Sequence, residues 1–167
     1  MMNRLCKLLA LTLTLSLLLC SCGKPQEPEV DYNDLVVAPV DLSITDCITE
    51  QQIASVVGHS MQLLGVYEDG VQAIWQSDDG ACQVTIHMMN QTREVFDTQV
   101  ADAQVPMTLQ EGLGEAAFWY EGRTEMMLYA NGYALDVAVV CSDTPLTEPY
   151  VRQIAELMLA AIQPVSE

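Results

Sequence analysis

Positive charge is what this chain has least of: six Lys and Arg stand against 23 Asp and Glu, and only two histidines are present. With so few cations, nucleic acid is excluded as a partner, because affinity for a polyanion depends on Lys and Arg neutralising its phosphates. Close docking onto anionic lipid headgroups is disfavoured for the same reason. His59 and His87 stand in no HExxH spacing, and Gly58-His59-Ser60 does not supply the GxSxG elbow that exposes a nucleophilic serine. No Cys-x-x-Cys pair is present to tune a thiolate. Glu68-Asp69-Gly70 and Asp78-Asp79-Gly80 lack the alternating carboxylate ladder of a calcium loop and read as turns. No catalytic set, metal site or cofactor is therefore expected, and the chain is not read as an enzyme. Long apolar runs are also scarce: residues 8–19 form the apolar core of the N-terminus, well short of the ~20 residues a spanning helix needs.

That N-terminus carries a different message. Arg4 and Lys7 precede the apolar core, and Leu19-Cys20-Ser21-Cys22 closes it. A positive start, an apolar core and a small residue before the cut make an export signal. Leu19-Cys20-Ser21-Cys22 resembles the lipobox of bacterial lipoproteins, which implies cleavage after Ser21 and lipidation of Cys22. Residues 1–21 are thus read as a lipoprotein signal peptide. Residues 22–41, with Pro25, Pro28 and Pro39 and no periodicity, are read as the lipidated end and a flexible tether. Residues 42–167 are left as a single globular domain. The mature chain keeps four basic and 23 acidic side chains, a formal balance of −19. The expected location is the extracytoplasmic face of the bacterial cell membrane, with the lipid as the membrane contact.

Along the domain, Thr49-Glu50-Gln51-Gln52 has capping-box spacing and Gly58 a C-cap position, predicting a helix over 50–57. Strands are predicted over 61–67, 71–76 and 81–89, punctuated by the two acidic turns. In the third, Cys82, Val84, Ile86 and Met88 share one face, and Gln83, Thr85 and His87 share the solvent face. Phe96, Val100 and Ala103 at helical spacing predict a helix over 93–103, before Pro106. Three more strands follow over 116–120, 124–130 and 133–141, the last two joined by Asn131-Gly132, which accepts positive φ at both positions. A final helix over 148–163 is entered through Pro149. The expected fold is α+β: a six-stranded, mostly antiparallel sheet flanked by three helices in the order α-βββ-α-βββ-α. Large apolar residues on both faces of 118–120 and 126–127 further predict cover on both sides of the sheet.

Cys47, Cys82 and Cys141 remain in the domain, an odd set that permits at most one intrachain bridge. Cys47-Ile48-Thr49 before a helix ending Val56-Val57-Gly58, the strand cysteine Cys82, and the Gly112-Leu113-Gly114-Glu115-Ala116 turn together resemble the DUF3558-type bacterial lipoproteins, of Mog1/PsbP-like fold. That resemblance implies an antiparallel sheet flanked by helices, no assigned chemistry, and a bridge pairing Cys47 with Cys82. Cys47 with Cys141 is the alternative, since Cys141 has the inward parity of Cys82.

Two surfaces remain as binding candidates. Trp75, Phe118, Trp119 and Tyr120 are large aromatics in strands, and Met127 belongs to a methionine-rich set. Where such side chains stay uncovered they suit an envelope protein partner, and where they line a cavity they suit a small apolar ligand. The expected role is that of a lipid-anchored, non-catalytic binding or accessory lipoprotein; a carrier or sensor of a small apolar ligand is the alternative, and an envelope enzyme the third reading.

Overall fold

The computed structural model describes residues 42–144 and 147–162. The signal segment, Cys22 and the tether lie outside the described residues. Among the described residues the class is α+β, with one antiparallel sheet of seven strands and four helices.

A short helix α1, Ile44–Cys47, leads into α2, Glu50–Val57. Thr49 and Gln52 form the expected capping box: the Gln52 amide donates to Thr49 Oγ1 at 3.3 Å and the Thr49 amide donates to Gln52 Oε1 at 2.9 Å. Such a cap is worth about 1 kcal/mol. Gly58, at φ 79°, ends the helix in the left-handed conformation. Strands β1 (Met61–Tyr67), β2 (Gln72–Ser77) and β3 (Cys82–Asn90) then form a meander. Helix α3, Arg93–Ala101, separates it from a second meander of β4 (Met107–Leu109), β5 (Ala116–Tyr120), β6 (Glu125–Ala130) and β7 (Tyr133–Cys141). Helix α4, Glu148–Ala161, closes the described fold.

The extra helix and strand have a common explanation. Neither the four residues of α1 nor the three of β4 can display a hydrophobic period, so pattern alone leaves them as loop. β4 exists because the edge of β5 offers it partners, Met107 opposite Tyr120 and Leu109 opposite Phe118.

Strand order is β1-β2-β3-β7-β6-β5-β4, so β3 and β7 zip the two meanders into one sheet. Their register runs unbroken from Cys82 opposite Cys141 to Asn90 opposite Tyr133. Helices α1, α2 and α4 cover one face, where Ile53, Val151, Ile154 and Met158 pack with Trp75, Ile86, Leu135 and Val137. On the opposite face α3 sets Phe96 against Ala116, Met127, Tyr129 and Ala134. The Phe96 ring stands 5.4 Å from that of Tyr129 and 6.2 Å from that of Phe118. Cover on both faces is thus present over the β5–β7 half, while the outer face of β3 carries the exposed Gln83 and half-buried Thr85. Gly114 is obligatory here: at φ +57°, a Cβ on it would lie 2.6 Å from the Tyr129 carbonyl oxygen.

The sheet also settles the cysteines, and against expectation. Cys82 and Cys141 form the disulfide, while Cys47 is free and buried. Neither predicted partner of Cys47 is available to it. Inward parity belongs to Cys82 and Cys141 alike, but only strand order makes them register opposites.

Candidate functional pocket

β7 has the sequence YALDVAVVC, in which Leu135, Val137 and Val139 point into the main core. Alternation sends Asp136 to the other face, where α3 lies. Its neighbours on that face of the strand are Ala134 and Ala138, small side chains that leave room beside it. Register places His87 of β3 opposite Asp136 on one side and Met127 of β6 opposite it on the other. Because α3 ends at Ala101, the segment after it overhangs this part of the sheet without filling it. The result is a pocket of about 380 Å³, lined by His87, Met89, Met127 and Asp136 from the sheet and by Gln99, Ala103, Gln104 and Val105 from above. Tyr120 and Arg123 complete its wall.

Charge in this pocket is unusually placed. Burial pushes the Asp136 carboxyl up to about 8, the negative Glu125 and a hydrogen bond with it push in the same direction, and Arg123 opposes them. Asp136 Oδ1 is buried with no hydrogen-bond partner. The nearest guanidinium is otherwise engaged, since Arg123 Nη1 sits 3.3 Å from Glu125 Oε2 and its Cζ lies 5.5 Å from the centre of the Tyr120 ring. Burial also raises the Tyr120 hydroxyl, helped by the charges of Asp136 and Glu125. That hydroxyl donates to Met127 Sδ at 3.5 Å. His87 Nε2 is 2.8 Å from the Gln72 side-chain nitrogen, so the row Gln72-His87-Asp136-Met127 runs continuously across four strands.

A raised carboxyl is a stability statement. The folded chain holds a proton on Asp136 across a range, from its ordinary value of 3.8 up to about 8, in which the unfolded chain has lost it. Stability is therefore greatest at the acid end of that window and falls as pH rises through it. Asp136→Asn is expected to remove the decline, making the protein more stable than wild type at about pH 8 and flattening its stability between about pH 4 and about pH 8. Urea titrations at several pH values check this, and parallel pH profiles for the two proteins would contradict it.

The predicted binding residues separate. Tyr120 and Met127 line the pocket, and Phe118 packs beneath α3. Trp75 is fully buried under the helices on the other face, and Trp119 packs against that same core. Trp75 is thus a core residue, a correction to its place on a binding surface, while Trp119 is half-buried on the face opposite the pocket. His87, expected on the solvent face, is partly buried in the pocket. Asp136 carried one legible signal, a single charge in an otherwise apolar strand. Its enclosure was not legible in the strand pattern, because the overhang that covers it comes from a distant segment.

His59 occupies a different place, 3.3 Å from Asp79 Oδ2 through Nδ1 and 3.1 Å from Asp143 Oδ2 through Nε2. It ties the β2–β3 turn to the end of β7. The Cys82 sulfur lies within reach of His59 and Asp143, but as half of a disulfide it offers no thiolate ligand. Among the described residues no helix is long and apolar enough to cross a membrane.

No protein-family model matches the chain, and no curated protein or solved structure matches it. The pocket geometry therefore stands as the main guide to function.

Proposed function

We propose that this chain is a lipoprotein held through Cys22 at the extracytoplasmic face of a bacterial membrane, and that its domain binds a small molecule without converting it. The observation that carries the binding role is the pocket beneath α3, whose volume of about 380 Å³ falls in the range of small-ligand sites. Its composition supports the same reading: apolar Met89, Met127, Ala103 and Val105 supply contact area, and a few polar groups supply orientation. This favours the ligand reading over an envelope protein partner, for which the exposed Leu64, Val66 and Tyr67 along the β1 edge, with Leu109 and Val140 elsewhere, offer apolar surface. The antiparallel sheet flanked by helices supports the DUF3558-type resemblance, whereas the Cys82–Cys141 bridge departs from the pairing it implies.

An envelope enzyme is the second reading, because His87 and Asp136 sit side by side on the pocket floor. The pocket lining contains no serine, threonine or cysteine nucleophile for them to activate.

Native mass spectrometry of the full mature protein, extracted from its own membrane in mild detergent, tests the binding role. A non-covalent mass addition is expected, lost in an Ala103→Trp variant that fills the pocket while keeping the wild-type circular dichroism. A wild-type protein that carries no addition, or an addition unaffected by Ala103→Trp, would overturn the proposal.

A further inference from the structure

Resting on the pocket reading above, we infer that the ligand is a small molecule bearing a protonated amine on an apolar body. The Asp136 carboxyl and Tyr120 would receive the ammonium end, and Met89 and Met127 would receive the body. Four observations converge on that class. First, Asp136 Oδ1 is buried at the pocket with no partner, and a buried acceptor left unpaired is costly until a donor reaches it. Second, a second carboxylate, Glu125, stands beside it, and one guanidinium serves the two, so with both ionised the group retains a net negative charge. Third, the pocket wall includes an aromatic ring and two thioethers, surfaces that tolerate an ammonium group and its hydrocarbon. Fourth, the mature chain has a formal balance of −19, which attracts cations to any opening and repels anions.

The competing assignment is an anion on Arg123. That guanidinium is already paired with Glu125 and set over the Tyr120 ring, so an anion would have to break the pair and approach two carboxyls. A neutral ligand would satisfy a protonated Asp136 equally well, and pH distinguishes the two. The groups that face Asp136 are His87 from β3, Tyr120 from β5, Glu125 and Arg123 from β6 and the turn before it, while α3 and its following segment contribute only the neutral Gln99 and Gln104. Among these, the proton held on the Asp136–Glu125 pair must leave when an ammonium ion arrives. Binding of an amine should therefore tighten as pH rises from about 6 to about 8.5, and binding of a neutral ligand should not.

Three probes of matched shape test the inference: phenethylamine, phenethyl alcohol and hydrocinnamate. The full mature protein in neutral phosphatidylcholine nanodiscs is labelled at the methionine methyls, so that Met89 and Met127 report the pocket and Met126 and Met158 report the opposite core. Phenethylamine is expected to shift the Met89 and Met127 methyls with an affinity at least about tenfold above that of the alcohol, and hydrocinnamate is expected to bind weakest. Asp136→Asn should abolish the preference for the amine, bringing its affinity down to that of the alcohol in the same variant. If the alcohol or the acid shifts the pocket methyls as tightly as the amine, or if Asp136→Asn leaves the preference unchanged, the amine class is wrong and the pocket reading survives. If none of the three moves Met89 or Met127, both fall.

Discussion

Reduction of the Cys82–Cys141 bridge is expected to lower the unfolding free energy by about 4 kcal/mol on the chain-entropy model, less if the unfolded chain retains structure. The two cysteines are 59 residues apart in sequence, so the bridge closes a loop that contains β3, α3 and the whole second meander. It also sits at one end of the β3–β7 ladder, the seam that joins the meanders into one sheet. Without it, that seam must be formed by a chain free to separate its halves. Urea unfolding with and without reductant measures the loss, and a Cys82→Ser/Cys141→Ser variant should reproduce it. Cys47 is a different case. Burial raises its thiol, with the charge of Asp46 adding to the effect, so it should resist alkylation until the protein unfolds. Non-reducing peptide mapping should recover Cys82 linked to Cys141. A Cys47-containing cross-link would refute the pairing.

Cys22→Ala is expected to move the protein from the membrane fraction to the soluble fraction, reducing membrane recovery by about tenfold or more. A formal balance of −19 gives the mature chain no attraction to anionic headgroups, and no described helix is able to span a bilayer. In the proposed anchoring, attachment rests on acyl chains at Cys22, where each buried methylene contributes about 0.8 kcal/mol and more than one chain is needed for stable anchoring. Mass spectrometry of the wild-type N-terminal peptide should find a diacylglyceryl group on Cys22. A Cys22→Ala protein that remains membrane-bound would defeat the anchoring proposal, and would leave the pocket and its ligand untouched as a separate question.

Local sequence determined the local structure of this domain. The Thr49/Gln52 capping box and the Gly58 cap bound α2, and Asn131 and Gly132 both take the positive φ expected of their hairpin. Strand alternation correctly turned Cys82, Ile86, Val137 and Cys141 inward, whereas Trp75, read as a candidate binding residue, is buried as well. These features depend on hydrogen bonds and side-chain directions within a few residues, so they are legible without knowing the fold. Only the tertiary structure decided which strands met. The pairing of β3 with β7 made Cys82 and Cys141 opposites, set His87 beside Asp136, and left Cys47 unpaired. It also decided that Asp136 lies in a pocket: the residues that enclose it, Gln99 to Val105, come from 31 to 37 positions earlier in the chain. Solvent exposure is a property of what packs over a residue, and parity along one strand carries no information about a neighbour supplied by a distant segment.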